Sequence, residues 1–158
     1  VITIPMVFHI ITDGAGAENI PESAVQAQVD QLNIDFRNLA GSSYGVAADV
    51  EINWCLAAVD PNGAPLTEQG INRVTTYGDG AQGQNGYDSN IKPGTIWDPT
   101  QYCNVWVGNL SGGLLGYAQF PEAGGLAGIG TGNGGSNTDG VVIGYGTVGS
   151  EANPGSST

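Results

Sequence analysis

Tyr102 to Pro121, YCNVWVGNLSGGLLGYAQFP, decides the reading of this chain. Cys103, Val105 and Val107 alternate with Asn104, Trp106 and Gly108, and β-branched and aromatic residues dominate, as in a buried strand. Ser111, Gly112 and Gly113 allow a turn without steric cost. Leu114 to Phe120 resumes an extended apolar run that Pro121 ends. Proline cannot donate to a ladder, so a strand ending this way reads as an edge strand, with unpaired backbone groups open to a peptide. The plainer reading of the same pattern is a hairpin or a sheet corner.

Outward from this segment the elements alternate. Val1 to Thr12 is a nearly continuous apolar run, the mark of a strand covered on both faces of a parallel sheet. Pro21 suits a helix first turn, and Glu18 and Glu22 suit its positive end. Val25, Val29, Leu32, Phe36 and Leu39 then form one apolar stripe facing the sheet, and Gly41 stops the helix. Val50 to Val59 is the next strand, closed by the turn Asp60-Pro61-Asn62-Gly63. Strand, helix, strand at this spacing is a βαβ unit, hence a parallel pair with a right-handed crossover. Ile71 to Tyr77 reads as a short strand and Gly78 to Asn90 as a polar surface loop. Glu122 to Thr138 is a long glycine-rich loop, and Val141 to Tyr145 is the last strand. The fold class is α/β, with a mostly parallel sheet, one antiparallel edge strand and one long crossover helix.

Composition narrows the function. The chain has 158 residues, enough for one domain with a core. Arg37, Arg73 and Lys92 are its only cations against 15 acids, a formal net charge of -12. Three cations cannot build a basic patch, which excludes duplex DNA or RNA as a partner, and anionic membranes would repel the chain. Charged residues are 11%, well below the usual quarter or so, while 40% are hydrophobic, so this is no disordered acidic tail. High acidity with few lysines suits a secreted or salt-tolerant protein. No apolar run approaches the ~18 residues of a membrane span. A chain opening on Val1 rather than methionine reads as processed, with no signal peptide. Cys55 and Cys103 permit one disulfide or two buried thiols.

Catalytic patterns are sparse. Ser111 and the C-terminal serines lack a G-x-S-x-G context, and Cys103 has no activating cation in sight. The 15 acids show no spacing that selects a hydrolytic pair. Gly128-Ile129-Gly130-Thr131-Gly132 mimics a phosphate loop, but no lysine follows it. Asp79 and Asp88 flank a glycine-rich loop, and Asn133, Asn137 and Asp139 cluster before the last strand. Such hard oxygen ligands suit calcium, although without EF-hand spacing they also read as turn-forming residues.

Several segments together resemble the pappalysin-like (cytophagalysin) branch of the metzincin zinc endopeptidases. They are IPMVFHII at Ile4 to Ile11, QAQVDQLNIDFRN in the helix, VEINWCLAAVDPNG at Val50 to Gly63 and GINRV at Gly70 to Val74. YCNVWVGNL, GGLLGYAQFP and TDGVVIGYG follow in the same order. The resemblance implies the N-terminal subdomain of a secreted catalytic domain that hydrolyses peptide bonds. Residues 1–158 would be that subdomain, lacking the zinc-binding helix and the C-terminal subdomain. The family's antiparallel strand pairs with substrate, and here it would be Leu115, Gly116, Tyr117, Ala118, Gln119 and Phe120. The strand matching TDGVVIGYG would lead into a helix carrying H-E-x-x-H-x-x-G-x-x-H. None of that motif is present. His9 is the only histidine and Met6 the only methionine, both in the first strand, so this chain supplies no zinc ligand set, general-base glutamate or methionine turn. His9 reads as a core or sheet-end residue. The implied picture is a chain inactive alone, with no metal or cofactor of its own, zinc in the complete enzyme and a peptide or protein as substrate. The family's strand order would also place the first strand between those bearing the cysteines. Strands two places apart lie about 9.6 Å apart, whereas a disulfide needs Cα atoms within about 7 Å, so free thiols are the expectation. The other reading is a non-catalytic extracellular binding or self-assembling module on the same half-fold, with the strand edge and an uncovered apolar face open to a partner chain.

Overall fold

The computed structural model describes residues 1–119 and 135–149. Strand β1 (Ile2–Ile11) is the axis of the sheet, and helix α1 (Glu22–Phe36) follows it. Then come β2 (Ile52–Leu56), β3 (Ile71–Val74), β4 (Cys103–Gly108), β5 (Gly116–Ala118) and β6 (Val141–Gly144). The strand order is β2-β1-β4-β6-β5, and β3 pairs with β1 beside β2. β1 is long enough to serve two partners on one side, with Ile2 to Met6 against β2 and Phe8 to Ile11 against β3. Among the described strands all pairings are parallel except β5 with β6. The α/β reading with one antiparallel edge strand therefore holds.

The two-residue alternation along each strand divides the core. Met6, Phe8 and Ile10 of β1 join Val105 and Val107 of β4 beneath α1. Ile11 of β1, Trp106 of β4 and Val142 of β6 point to the opposite face. On the helix, Ala24, Val25, Ala27 and Val29 are buried. The expected stripe fades after that point. Phe36 is half-buried against Trp54, ring centroids 5.2 Å apart, and Leu39 is 69% exposed. The helix ends at Phe36, before Gly41, and Asn38 takes a left-handed backbone at φ 48°, so the chain turns before Leu39 reaches the sheet.

Three sequence expectations need correction. Residues 78–90 are not simply a surface loop. Residues 84–95 form a continuous helical segment, α-like at its ends with a wider π-type turn between. Tyr87, Ile91 and Lys92 are buried there, packed on the second face of the sheet. The glycines and polar residues give little intrinsic helix preference, and tertiary packing of Tyr87 and Ile91, four residues apart, supplies what propensity does not. Nor do β4 and β5 form a hairpin, because β6 lies between them. The turn at Gly112 and Gly113, with φ of +72° and +73°, carries the chain across that gap. Finally, β1 is covered on both faces only from Met6 onward, and Val1 and Ile2 are about two-thirds exposed.

The cysteines stand on opposite sides of β1. Cys55 is beside Pro5 and Cys103 beside Met6, and both are free thiols, as the strand spacing implies. Burial pushes the Cys103 thiol up to about 11, with Asp139 adding to the effect.

Candidate functional site

β5 ends the sheet. It has β6 on one side, with Gly116 opposite Ile143, Tyr117 opposite Val142 and Ala118 opposite Val141, and no strand on the other side among the described residues. Its outer backbone groups have no strand partner among the described residues. The expected stretch Leu115 to Phe120 is longer than the strand observed. Leu115 precedes the strand and is 72% exposed, yet its carbonyl accepts from Gly144 N at 2.8 Å and continues the ladder. Gln119 follows the strand, and its side-chain amide donates to the Gly135 carbonyl at 3.4 Å. Phe120 lies outside the described residues, as do Asn133 and the phosphate-loop mimic at 128–132.

Tyr117 is the one large side chain of β5, and it joins the cluster of Trp106, Val142 and Tyr87. Its hydroxyl donates to Asp88 Oδ1 at 2.9 Å. Lys92 Nζ is 2.8 Å from the same oxygen. Burial acts to raise the Asp88 carboxyl, but the ion pair with Lys92 and the hydrogen bond from Tyr117 outweigh it and hold Asp88 below its ordinary range. Burial first, and Asp88 second, push the Tyr117 hydroxyl well above the ordinary phenol range. Sequence reasoning passed over Lys92 and Asp88 as a working pair. Their separation of four residues was the available signal, but it means nothing until the segment is known to be helical.

On the α1 side of the sheet an apolar groove of about 340 Å³ remains open beside the helix. Met6, Phe8, Phe36, Trp54, Val141 and Ile143 are among its walls. Trp54 Nε1 is buried there without an acceptor among the described residues.

His9 is a core residue, 0% exposed. Asn104 fixes its state. The Asn104 amide donates to the Trp97 and Tyr102 carbonyls, and its Oδ1 accepts from Trp97 N at 2.9 Å. That orientation leaves Oδ1 to accept from His9 Nε2 at 2.9 Å, while Nδ1 accepts from Asn72 Nδ2 at 3.0 Å. The ring also stacks on Trp106 at 5.3 Å. Burial lowers its pKa to about 4, with the Asn104 bond opposing. Both ring nitrogens are engaged, so His9 is not poised to bind a metal.

The nitrogen and sulfur donors do not converge on a zinc site, which takes three or four side-chain ligands: His9 is the only histidine, and Cys55 and Cys103 stand on opposite sides of β1. Among the described residues the one close cluster of candidate ligands is Asp13, Glu18 and Asp79, all carboxylates. Asp79 belongs to that cluster, while Asp88 is engaged by Lys92 and Tyr117. The three cations are also committed, Arg37 to Asp49, Arg73 to Glu68 and Lys92 to Asp88. No helix among the described residues is long and apolar enough to cross a membrane.

No family model matches the chain, and no curated protein matches it. Solved structures do. Mirolysin in complex with compound 9 superposes with a TM-score of 0.74 at 34% identity, over 95% of this chain and 55% of that one. Mature mirolysin of Tannerella forsythia in complex with a cleaved peptide gives 0.74 and 32% over the same shares. A mutant of Tannerella forsythia promirolysin gives 0.74 and 33%, over 95% of this chain and 48% of that one. The chain thus spans about half the length of each. Over nearly all of its own length it is similar, in fold and in sequence, to about half of mirolysin, a pappalysin-family metzincin.

Proposed function

We propose that this chain is the N-terminal part of a secreted pappalysin-like zinc endopeptidase, and that β5 aligns the peptide to be cut. The observation that carries the reading is that, among the described strands, one antiparallel strand lies at the edge of an otherwise parallel sheet. It lies in a chain similar to a protein whose structure was solved with a cleaved peptide. The free edge of β5 would pair with the substrate backbone, which fixes an extended chain without demanding a particular side chain at every position. Edge pairing is binding and orientation, and this chain's own residues are proposed to do no more. Zinc in the complete enzyme would supply the activated water, held by residues other than those present here.

The open groove supports the same reading. A sheet face walled by Phe8, Val141 and Ile143 and rimmed by an unpartnered Trp54 Nε1 suits a further apolar segment with a backbone carbonyl to offer. We place there the helix that would carry H-E-x-x-H.

The test is the natural protein. Its intact mass should exceed the 16.1 kDa of these residues, and the coding sequence should continue into H-E-x-x-H. The natural protein should also cleave an unstructured peptide and lose that activity to a chelator. A natural protein of 16.1 kDa, or a continuation without the motif, would leave a non-catalytic binding module as the better account.

A further inference from the structure

β5 is poorly equipped to hold its own position. It is three residues long and, among the described residues, paired on one side. Gly112 and Gly113 precede it and Gly116 begins it, so the backbone there has much freedom to lose. Gly116 and Ala118 offer little side chain for packing, and Tyr117 alone is anchored. The anchor is unusual for this chain. Lys92 is 0% exposed, and its Nζ lies 4.7 Å from the Tyr117 ring centroid and 5.4 Å from that of Trp106. One of three cations is therefore buried under the edge strand, between a ring of β5 and a ring of β4.

A hydrocarbon side chain would fill that site at less desolvation cost. What lysine adds is direction. Its ammonium and the Tyr117 hydroxyl converge on one oxygen of Asp88, at 2.8 and 2.9 Å. The hydroxyl also lies 3.4 Å from the Gln84 carbonyl. Helical segment 84–95 is itself tied to the sheet, because Trp106 Nε1 donates to Thr95 Oγ1 at 2.8 Å. The chain of contacts runs from β4 through the helical segment to Tyr117.

We propose that Lys92, Asp88 and Tyr117 form a latch that sets the position of β5 for peptide pairing, making all three positioning residues for substrate. This rests on the reading of β5 as the peptide-binding edge. A charged hydrogen bond holds the strand where neutral packing would let it slide or fray. With the latch broken, a peptide must order β5 as it binds, so the loss should fall on KM rather than kcat.

The experiment uses the full natural protein and the variant Tyr117→Phe, which keeps the ring and removes only the hydroxyl. Amide hydrogen exchange at residues 116–118 of the free protein should accelerate roughly tenfold, the scale of one hydrogen bond to a charged group. Exchange in β1 should not change. KM for a long unstructured peptide should rise by a similar factor while kcat holds. Lys92→Met, which keeps the bulk, should move the same two readings in the same direction. If exchange at 116–118 is unchanged in Tyr117→Phe, there is no latch. If exchange accelerates but KM is unmoved, β5 is held as described but does not position the peptide, and the proposal fails. A wild-type protein without peptidase activity would refute the endopeptidase reading and with it the role of the latch in positioning substrate, while the exchange result would still decide whether the three residues hold β5.

Discussion

Lowering the pH from 7 to 4 should destabilise this protein by about 3 kcal/mol through His9 alone. Folded, the ring sits at 0% exposure with its pKa lowered from 6.5 to about 4, because burial disfavours the imidazolium. Unfolded, it takes up a proton near 6.5. Between those two values the unfolded chain holds a proton that the folded one does not. Stability from this source is therefore complete above pH 6.5, declines as pH falls, and is fully lost below about 4. Each pKa unit corresponds to about 1.4 kcal/mol, so the gap between 6.5 and about 4 gives the figure. The geometry gives the same sign. Asn72 Nδ2 donates to Nδ1, and a proton on Nδ1 would set two donors face to face at 3.0 Å.

Two measurements check this. The chain has one histidine, so a single imidazole signal reports its titration in proton NMR without assignment. In the folded protein that signal should hold its neutral position through pH 5. Urea unfolding of the wild type and His9→Gln from pH 7 to 4 supplies the energy. The carboxyls of Asp49, Glu68, Asp88 and Asp98 are all held low and also lose stability in acid, so the difference between the two proteins isolates His9. A folded imidazole titrating near 6.5 would show that the Asn104 and Asn72 contacts do not hold His9 neutral.

Phe36→Ala should cost about 2 kcal/mol in chemical unfolding, less than the 3–5 of a fully buried phenylalanine, and Leu39→Ala should cost almost nothing. Equal losses at the two positions would mean that the apolar stripe does extend to residue 39. Dialysed chain of residues 1–158 should hold well under one zinc per molecule by metal analysis, and a tightly held stoichiometric zinc would refute the reading of His9 as a core residue. Cys55 and Cys103 should give two alkylatable thiols on unfolding without reductant, whereas thiols that appear only after reduction would reveal a bridge. At high concentration this chain should associate through its open edge and groove, and Ala118→Lys should weaken that association in light scattering. A monomer that binds no apolar dye would show that the groove is closed in solution.

The sheet was legible because its information is local. The apolar run of β1, the alternation from Cys103 to Gly108 and the spacing from strand to helix to strand each sit within a few dozen residues. Those patterns follow directly from which faces must be buried. The end of α1 was misjudged because a periodic pattern says which residues share a face, not where the backbone leaves the helix. Leu39 has the right spacing, but the left-handed turn at Asn38 removes it from the sheet.

The edge strand was legible in outline and its fastening was not. A glycine turn, a short apolar run and a proline are enough to suggest an edge strand. What holds that strand is not near it in sequence. Tyr117 and Asp88 are 29 residues apart, and His9 and Asn104 are 95 apart. Each pair meets only because β1, β4, β6 and β5 lie side by side and helical segment 84–95 crosses the face they present. That segment has the weakest local signal of any buried element here, being rich in glycine and polar residues. Its place in the structure is set by Tyr87, Ile91 and Lys92 docking on Trp106, so it is invisible until the sheet exists. Lysine at residue 92 then carries a meaning that composition conceals. In a chain of net charge -12 a cation reads as a solvated exception, whereas here it is fully buried beneath the strand proposed to bind the peptide.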